Sequence, residues 1–190
     1  MDSEAFCRVL DPKDNTTGGG AACAIAGAMA AALLAMVARL SVDRGLPKPD
    51  TFYAAVAAEA EEISRQLLAG ADADAQTFDA VYAAYRLPKS SEAQRHERTL
   101  AIQAALLHAT HVPLTNAERC RRVLQLCHTL RDHCNPNVTS DLECAELLAQ
   151  AGQQGCLSNV ETNLRSIKDA DMRAEIARRV EQLRASAQTL

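Results

Sequence analysis

The chain has 190 residues, of which 48% are apolar but only 3% aromatic, and it contains no tryptophan. This length suits one compact domain, and an interior built from alanine, leucine, valine and isoleucine favours closely packed helices. The formal net charge of -4, without a basic cluster interleaved with aromatic residues, argues against a nucleic-acid partner.

The first predicted element is an alanine-rich helix that starts at Ala21. Apolar side chains recur every three or four residues from Ile25 to Leu40, which is the helical period. Ala22, Ala26 and Ala30 add a ladder of small side chains along one face, so a neighbouring backbone can approach closely. We expect a central helix that is buried almost all round.

Further helices are predicted wherever this period resumes after a glycine or a proline. The expected breaks fall at Gly45–Pro49, Gly70, Pro88, Val112–Pro113, Asn135–Asn137 and Gly152–Gly155. No run of alternating β-branched residues suggests a strand. With a further helix starting at Asp171, these breaks divide the chain into about eight helices with short connections.

Capping signals support several of these starts. Asp50 and Asp171 are expected to cap the second and the last helix. Three capping boxes are predicted at Ser91 with Gln94, Thr115 with Glu118, and Ser140 with Glu143. We therefore expect an all-α fold, a single compact helical bundle in one domain over 1–190, with a leader segment at 1–15.

An uncharged stretch from Asn15 to Ala38 is long enough to cross a bilayer. It is mostly alanine, and the residues before it are net acidic, unlike a signal peptide. We expect no membrane partner.

Seven cysteines without a Cys-x-x-Cys pair or a secretory leader predict free thiols and a cytoplasmic location.

The glycine triplet Gly18–Gly20 precedes the first helix directly. Its free backbone N–H groups could hold a phosphate or a carboxylate at the positive end of the helix dipole, although a flexible helix entry is the commoner use of such glycines. It is not a P-loop, because no Gly-Lys-Ser/Thr follows.

Polar residues elsewhere give weaker signals. Asp72, Asp74 and Asp79 lie at a predicted helix start, where acidic residues are common for capping alone. The segment from Cys134 to Asp141 leaves amides and Asp141 available for a ligand. Cysteines repeat every seven residues at 120, 127 and 134, and histidines lie nearby, but no set has zinc spacing, so no metal site is predicted.

Several blocks, in order, resemble the formiminotetrahydrofolate cyclodeaminase and methenyltetrahydrofolate cyclohydrolase family. The resemblance covers the chain from Thr16 to near its end. The blocks are Thr16–Ala22, Ala26–Leu33, Asp74 with Phe78, Ala84–Lys89, Arg98, Ile102–Ala105, Val112–Leu114, Ser140–Asp141 and Asn159–Leu164.

The resemblance implies a free-standing, usually dimeric helical enzyme that binds a tetrahydrofolate derivative and needs no metal or other cofactor. It places the catalytic carboxylates at Asp74 and Asp141. The folate-binding positions that it implies are Thr17, Gly18, Gly19, Gly20, Lys89, Asn137, Ser140, Asn159 and Asn163.

Three hypotheses for function remain open. The first is hydrolysis of methenyltetrahydrofolate, or cyclisation of formiminotetrahydrofolate with loss of ammonia, with Asp74 as general base. The second is a different small substrate on the same scaffold, because Asp43–Pro47 replaces a basic stretch that ends in an aromatic residue in the family. The third is a helical interaction protein without catalysis.

Overall fold

A computed structural model describes residues 18–185 of the chain. Five α-helices follow one another in this part: α1 (Gly19–Arg39), α2 (Asp50–Arg86), α3 (Glu92–Leu130), α4 (Thr139–Leu164) and α5 (Ala170–Ala185). A short 3₁₀ turn at Pro136–Val138 precedes α4. The described residues contain no strand, so the all-α prediction is confirmed.

The predicted number of about eight helices is wrong, because three expected breaks lie inside continuous helices. Gly70 is within α2, Val112–Pro113 within α3, and Gly152–Gly155 within α4. Each of these positions packs against another helix, and tertiary packing outweighs the local cost, which is about 1 kcal/mol for a glycine and about 3 kcal/mol for a proline.

The predicted caps have mixed outcomes. The Ser91–Gln94 capping box is present, with Gln94 N donating to Ser91 Oγ at 3.2 Å. The box at Thr115 is wrong because Thr115 lies within α3, and the box at Ser140 is wrong because α4 already begins at Thr139 without a side-chain cap.

The predictions that Asp50 and Asp171 cap their helices are also wrong. Asp50 is the first residue of α2, and its carboxylate accepts a hydrogen bond from Asp43 N instead of capping the helix. At the last helix, Asp169 Oδ1 accepts from the backbone N–H groups of Asp171 and Met172, both at 3.0 Å. Asp169, not Asp171, therefore caps α5.

The bundle is built around α1, which packs against α2, α3 and α4. Close approach is possible because Gly27 and Gly152 carry no side chain where α1 meets α4: a Cβ at Gly152 would lie 3.2 Å from Gly27 N. Large core side chains such as Leu34, Leu67 and Leu130 fill the spaces between the helices.

The expectation that α1 is buried almost all round is wrong on one side. Met29 is 44% exposed and Met36 is 36% exposed, although α1 has no charged residue before Arg39. Within the described residues, α1 alone is long and apolar enough to span a bilayer, and 56% of its most apolar window is buried in the bundle.

Chain direction places the ends of α1 and α4 side by side. Asn135, just before α4, donates from Nδ2 to Leu40 O at 2.9 Å and from its backbone N–H to Ser41 Oγ at 3.0 Å. At the other end, Asn159 approaches Gly19. The two helices are therefore antiparallel, with the start of α1 beside the end of α4.

Candidate active site

A cavity of about 280 Å³ opens at the N-terminal end of α1. Residues from four helices line it, because α2 and α3 extend past the start of α1 and α4 ends beside it. The lining residues are Gly18, Gly19, Gly20, Asp74, Thr77, Phe78, Val81, Leu106, Ala109, Asn159 and Asn163.

Asp74 lies directly against the glycine triplet. A Cβ built on Gly20 would lie 2.5 Å from Asp74 Oδ2, so the carboxylate occupies the space that any other residue would need. The backbone N–H of Ala21 donates to this carboxylate. The anion that the glycine-rich helix start accommodates is therefore the protein's own Asp74.

Two opposing effects act on the Asp74 carboxyl. Burial raises its pKa above the ordinary value, and the hydrogen bond from Ala21 lowers it by a smaller amount. The net effect is a raised pKa, which makes the carboxylate a better proton acceptor than an exposed one.

Three cysteines lie below the carboxylate, on the core side. Burial raises the pKa of the Cys23 thiol, and the neighbouring Cys156 and Asp74 raise it further. The pKa of Cys156 is also raised, first by its hydrogen bond with Cys120 and then by burial. Cys23 and Cys156 are therefore neutral packing groups, because a nucleophilic cysteine needs a lowered pKa.

No group of three or more histidine, cysteine or acidic side chains suited to a metal ion occurs within residues 18–185. Cys120, Cys127 and Cys134 are buried in the core, but only the first two lie on α3, because this helix ends at Leu130.

Two asparagines of α4 complete the polar side of the cavity. Asn159 lies beside Gly19, with its Nδ2 3.7 Å from a Cβ built there. Asn163 Nδ2 donates to Ala109 O at 2.7 Å. Ala109 O is the carbonyl that residue 113 would bond in a regular helix, and Pro113 has no N–H to donate. Asn163 thus satisfies the carbonyl that the proline leaves free.

The structure therefore brings together Asp74, Gly18, Gly19, Gly20, Asn159 and Asn163 from the predicted set. It adds an apolar wall that the sequence did not assign to the site, including Phe78 and Val81. Phe78 is 49% exposed. Its position four residues after Asp74 was the available signal, because such residues share a helix face.

Other predicted residues lie away from this cavity within one chain. Asn137, Ser140 and Asp141 are at the opposite end of α4, and Asp141 is 18 residues before Asn159, or about 27 Å at the helical rise. Lys89 lies in the exposed turn after α2, three residues beyond its end at Arg86. Thr17 lies outside the described residues.

The chain is similar in sequence to known proteins over nearly its whole length. Residues 2–182 match the family profile described as formiminotransferase-cyclodeaminase. A methenyltetrahydrofolate cyclohydrolase of Methylorubrum extorquens is 36% identical over 188 residues, which cover 98% of this chain and 90% of that protein.

A formimidoyltransferase-cyclodeaminase of Gallus gallus is 31% identical over 94% of this chain, which corresponds to only 33% of that longer protein. The crystal structure of formiminotetrahydrofolate cyclodeaminase from Thermotoga maritima superimposes with a TM-score of 0.87 at 29% identity, covering 100% of this chain and 91% of the other. The chain belongs to the formiminotransferase-cyclodeaminase family.

Proposed function

We propose that this protein is an enzyme of folate one-carbon metabolism that acts on the bridge between N5 and N10 of tetrahydrofolate. Its reaction is hydrolysis of 5,10-methenyltetrahydrofolate to 10-formyltetrahydrofolate, cyclisation of 5-formiminotetrahydrofolate with loss of ammonia, or both. The relatives named for these two activities support it. The observation that carries it is the Asp74 carboxylate at the glycine-rich start of α1, facing an open cavity.

The chemistry fits a single carboxylate. The methenyl bridge is a cationic N–C–N unit that water can attack, and Asp74 would stabilise that cation and accept the proton that the water loses. Cyclisation of a formimino group likewise requires a proton to reach the departing ammonia. No metal or further cofactor is proposed, because this bridge is electrophilic without a Lewis acid.

The remaining lining suits a pterin. Phe78 and Val81 offer an apolar surface for a flat ring, and the amides of Asn159 and Asn163 offer donors and acceptors at its edge. We assign these residues, together with Gly18 to Gly20, to folate binding. We place the reaction in the cytoplasm and assign it to one domain over 1–190, in which 16–190 is the family-like region.

The direct test is an assay of purified protein with methenyltetrahydrofolate and with formiminotetrahydrofolate. The variant Asp74→Asn should lose at least about a hundredfold in kcat, the usual contribution of a general base. Asp72→Asn is the matched control, because Asp72 is exposed on the same helix and does not line the cavity. Full activity of Asp74→Asn on both substrates would reject the assignment.

We further propose that the enzyme is a homodimer joined through the exposed face of α1. Five apolar positions on this face, spaced by three and four residues, repeat the seam of a helix pair: Ala22, Ile25, Met29, Ala32 and Met36. A helix without a charged residue before Arg39 that leaves such a stripe accessible is typical of an interface between identical subunits.

Two-fold pairing of α1 about a point near Met29 would make the two copies of α1 antiparallel. The start of α4 lies beside the end of α1, so the partner's Asn137, Ser140 and Asp141 would reach the glycine end of this subunit. Each cavity would then combine Asp74 of one chain with Asp141 of the other. Lys89 remains a predicted folate contact that one chain does not bring to the cavity.

A further inference from the structure

A second cavity lies in the groove between α2 and α3 and shares no lining residue with the Asp74 cavity. Its volume is about 380 Å³, which is enough for a small metabolite. Its polar lining residues are Gln66, His108, His111, Thr115, Asn116 and Arg119. The proposed folate reaction uses none of them.

Asn116 is the buried polar group of this groove, with only 1% of its surface exposed. Its Oδ1 accepts a hydrogen bond from Arg119 Nη1 at 3.2 Å, but its Nδ2 has no partner. Gly70 makes room for the amide, because a Cβ there would overlap Asn116 Oδ1. A buried NH₂ without an acceptor is costly, so a ligand oxygen in the groove would remove that cost if the amide turned toward it.

Arg119 supplies a positive charge at the same place. Its guanidinium donates to Gln66 Oε1 at 3.2 Å and to Gln66 O at 3.4 Å, which are neutral acceptors like Asn116 Oδ1. Among the ion pairs of residues 18–185, none includes Arg119. A half-buried arginine that contacts only neutral acceptors is suited to an anion.

The neighbouring acidic residues are engaged elsewhere. Glu118, adjacent to Arg119 in sequence, pairs with Arg179. Glu62, which accepts from Gln66 Nε2 at 2.8 Å, also pairs with Arg65. His108 and His111 line the groove about two turns before Asn116 and Arg119, respectively, on α3, and each can donate a hydrogen bond to an anion.

We propose that this groove binds a small anionic metabolite through a carboxylate or phosphate group. Its oxygens would accept from Asn116 Nδ2, from the Arg119 guanidinium and from the imidazoles of His108 and His111. This site is separate from the Asp74 cavity, and the inference does not depend on the folate reaction.

The test is a titration of the full-length protein with inorganic phosphate and, separately, with glutarate, at constant ionic strength set with chloride. Binding is followed by calorimetry and by the NMR signals of the histidine side chains. We expect saturable binding of at least one anion. The preferred one tells whether the natural ligand carries phosphate or carboxylate.

The matched variants are Arg119→Gln and Arg122→Gln, which remove the same charge from the same helix. Arg122 is exposed, pairs with Glu59 and does not line the groove. Arg119→Gln should weaken binding at least about tenfold and Arg122→Gln should not change it. Equal weakening by both variants, or no saturable binding of either anion by the unmodified protein, would overturn the proposal.

A second variant keeps the test decisive if Arg119→Gln does not fold. His108 is exposed and His111 is half-buried, so the double variant His108→Gln/His111→Gln should keep the fold. We expect it to bind the preferred anion severalfold more weakly than the unmodified protein. Unchanged affinity, with the far-ultraviolet circular dichroism spectrum intact, would contradict the assignment.

Discussion

At the scale of single residues, the Asp74 carboxylate is held where its charge costs stability. Its pKa in the folded protein is raised above the ordinary value of 3.8, mainly by burial. The folded state therefore binds its proton more tightly than the unfolded state, and stability falls as the pH rises through the folded pKa. Buried charged groups that lower the stability of the folded state in this way are typically part of a functional site.

This argument predicts that Asp74→Asn raises the melting temperature at pH 7 while it abolishes turnover. The advantage of the variant should shrink as the pH is lowered through the folded pKa and be lost below 3.8, because the carboxyl of the unmodified protein is then protonated in both states. Thermal unfolding of both proteins across this pH range is the measurement. A variant that is less stable at pH 7 would indicate that Asp74 is a structural residue.

The contact between Gly20 and Asp74 gives a second prediction. In Gly20→Ala the new methyl group overlaps the carboxylate, so we expect a loss of about 1–3 kcal/mol in the free energy of unfolding and a loss of activity. Gly18→Ala is the control, because nothing lies within 4 Å of a Cβ at Gly18. Denaturant unfolding of the two variants checks the difference, and equal stability would contradict the geometry.

Sequence reasoning predicted that Asp74 and Gly18 to Gly20 share one cleft, which the structure confirms, but not that the carboxylate lies directly against Gly20. Each has an ordinary explanation when considered alone, helix capping for the aspartate and a flexible entry for the glycines. Their contact joins residues 54 positions apart, and it depends on how α1 packs on α2. Only the family resemblance, which implies how the helices pack, assigned both Asp74 and the glycine triplet to one site.

At the scale of elements, Pro113 and Asn163 form a pair that sequence rules treat separately. The proline was expected to end a helix, yet α3 continues through it because Asn163 Nδ2 supplies the hydrogen bond to Ala109 O that Pro113 lacks. Asn163→Ala should therefore cost about 1–3 kcal/mol, since it leaves a buried carbonyl unsatisfied.

A double-mutant cycle with Pro113→Ala tests this pairing. An alanine at 113 restores the backbone N–H, so Asn163→Ala should cost less in that background, by about 1 kcal/mol. Chemical denaturation of the four proteins gives the coupling. Equal costs of Asn163→Ala in both backgrounds would show that Asn163 does not replace the missing helix bond.

The helix breaks at Gly70 and Gly152 failed as predictions for a similar reason. Both glycines are sites of close packing: Gly70 admits the side chain of Asn116, and Gly152 lies against Cys23 O. A rule based on local sequence alone treats a glycine as a flexible point at which a helix ends. Where two helices touch, the missing side chain is what permits the contact, and the helix continues.

At the scale of the whole molecule, the sequence indicated how apolar α1 is but not how much of it one chain can cover. Three neighbouring helices bury its inner sides, and the stripe through Met29 and Met36 stays exposed. An apolar surface of this kind is stable when a second copy covers it. The separation of Asp141 from the Asp74 cavity has the same explanation if the second copy brings its own α4 to that cavity.

The proposed site, which combines Asp74 of one chain with Asp141 of the other, predicts complementation between two inactive variants. In a mixed dimer of Asp74→Asn and Asp141→Asn chains, one cavity carries both substitutions and the other carries neither. Unfolding and refolding an equal mixture should make half the dimers mixed, so activity should recover to about a quarter of that of the unmodified enzyme. Each variant refolded alone should stay inactive.

The variant Met29→Glu tests whether the recovered activity depends on formation of the dimer. A charge at the centre of the α1 stripe should prevent pairing, so light scattering should report the mass of one chain. When the Asp74→Asn and Asp141→Asn chains both also carry Met29→Glu, their mixture should no longer recover activity. If each cavity instead took Asp74 and Asp141 from one chain, no mixture would recover activity. A mixture that stays inactive while the dimer forms would place Asp141 outside the site.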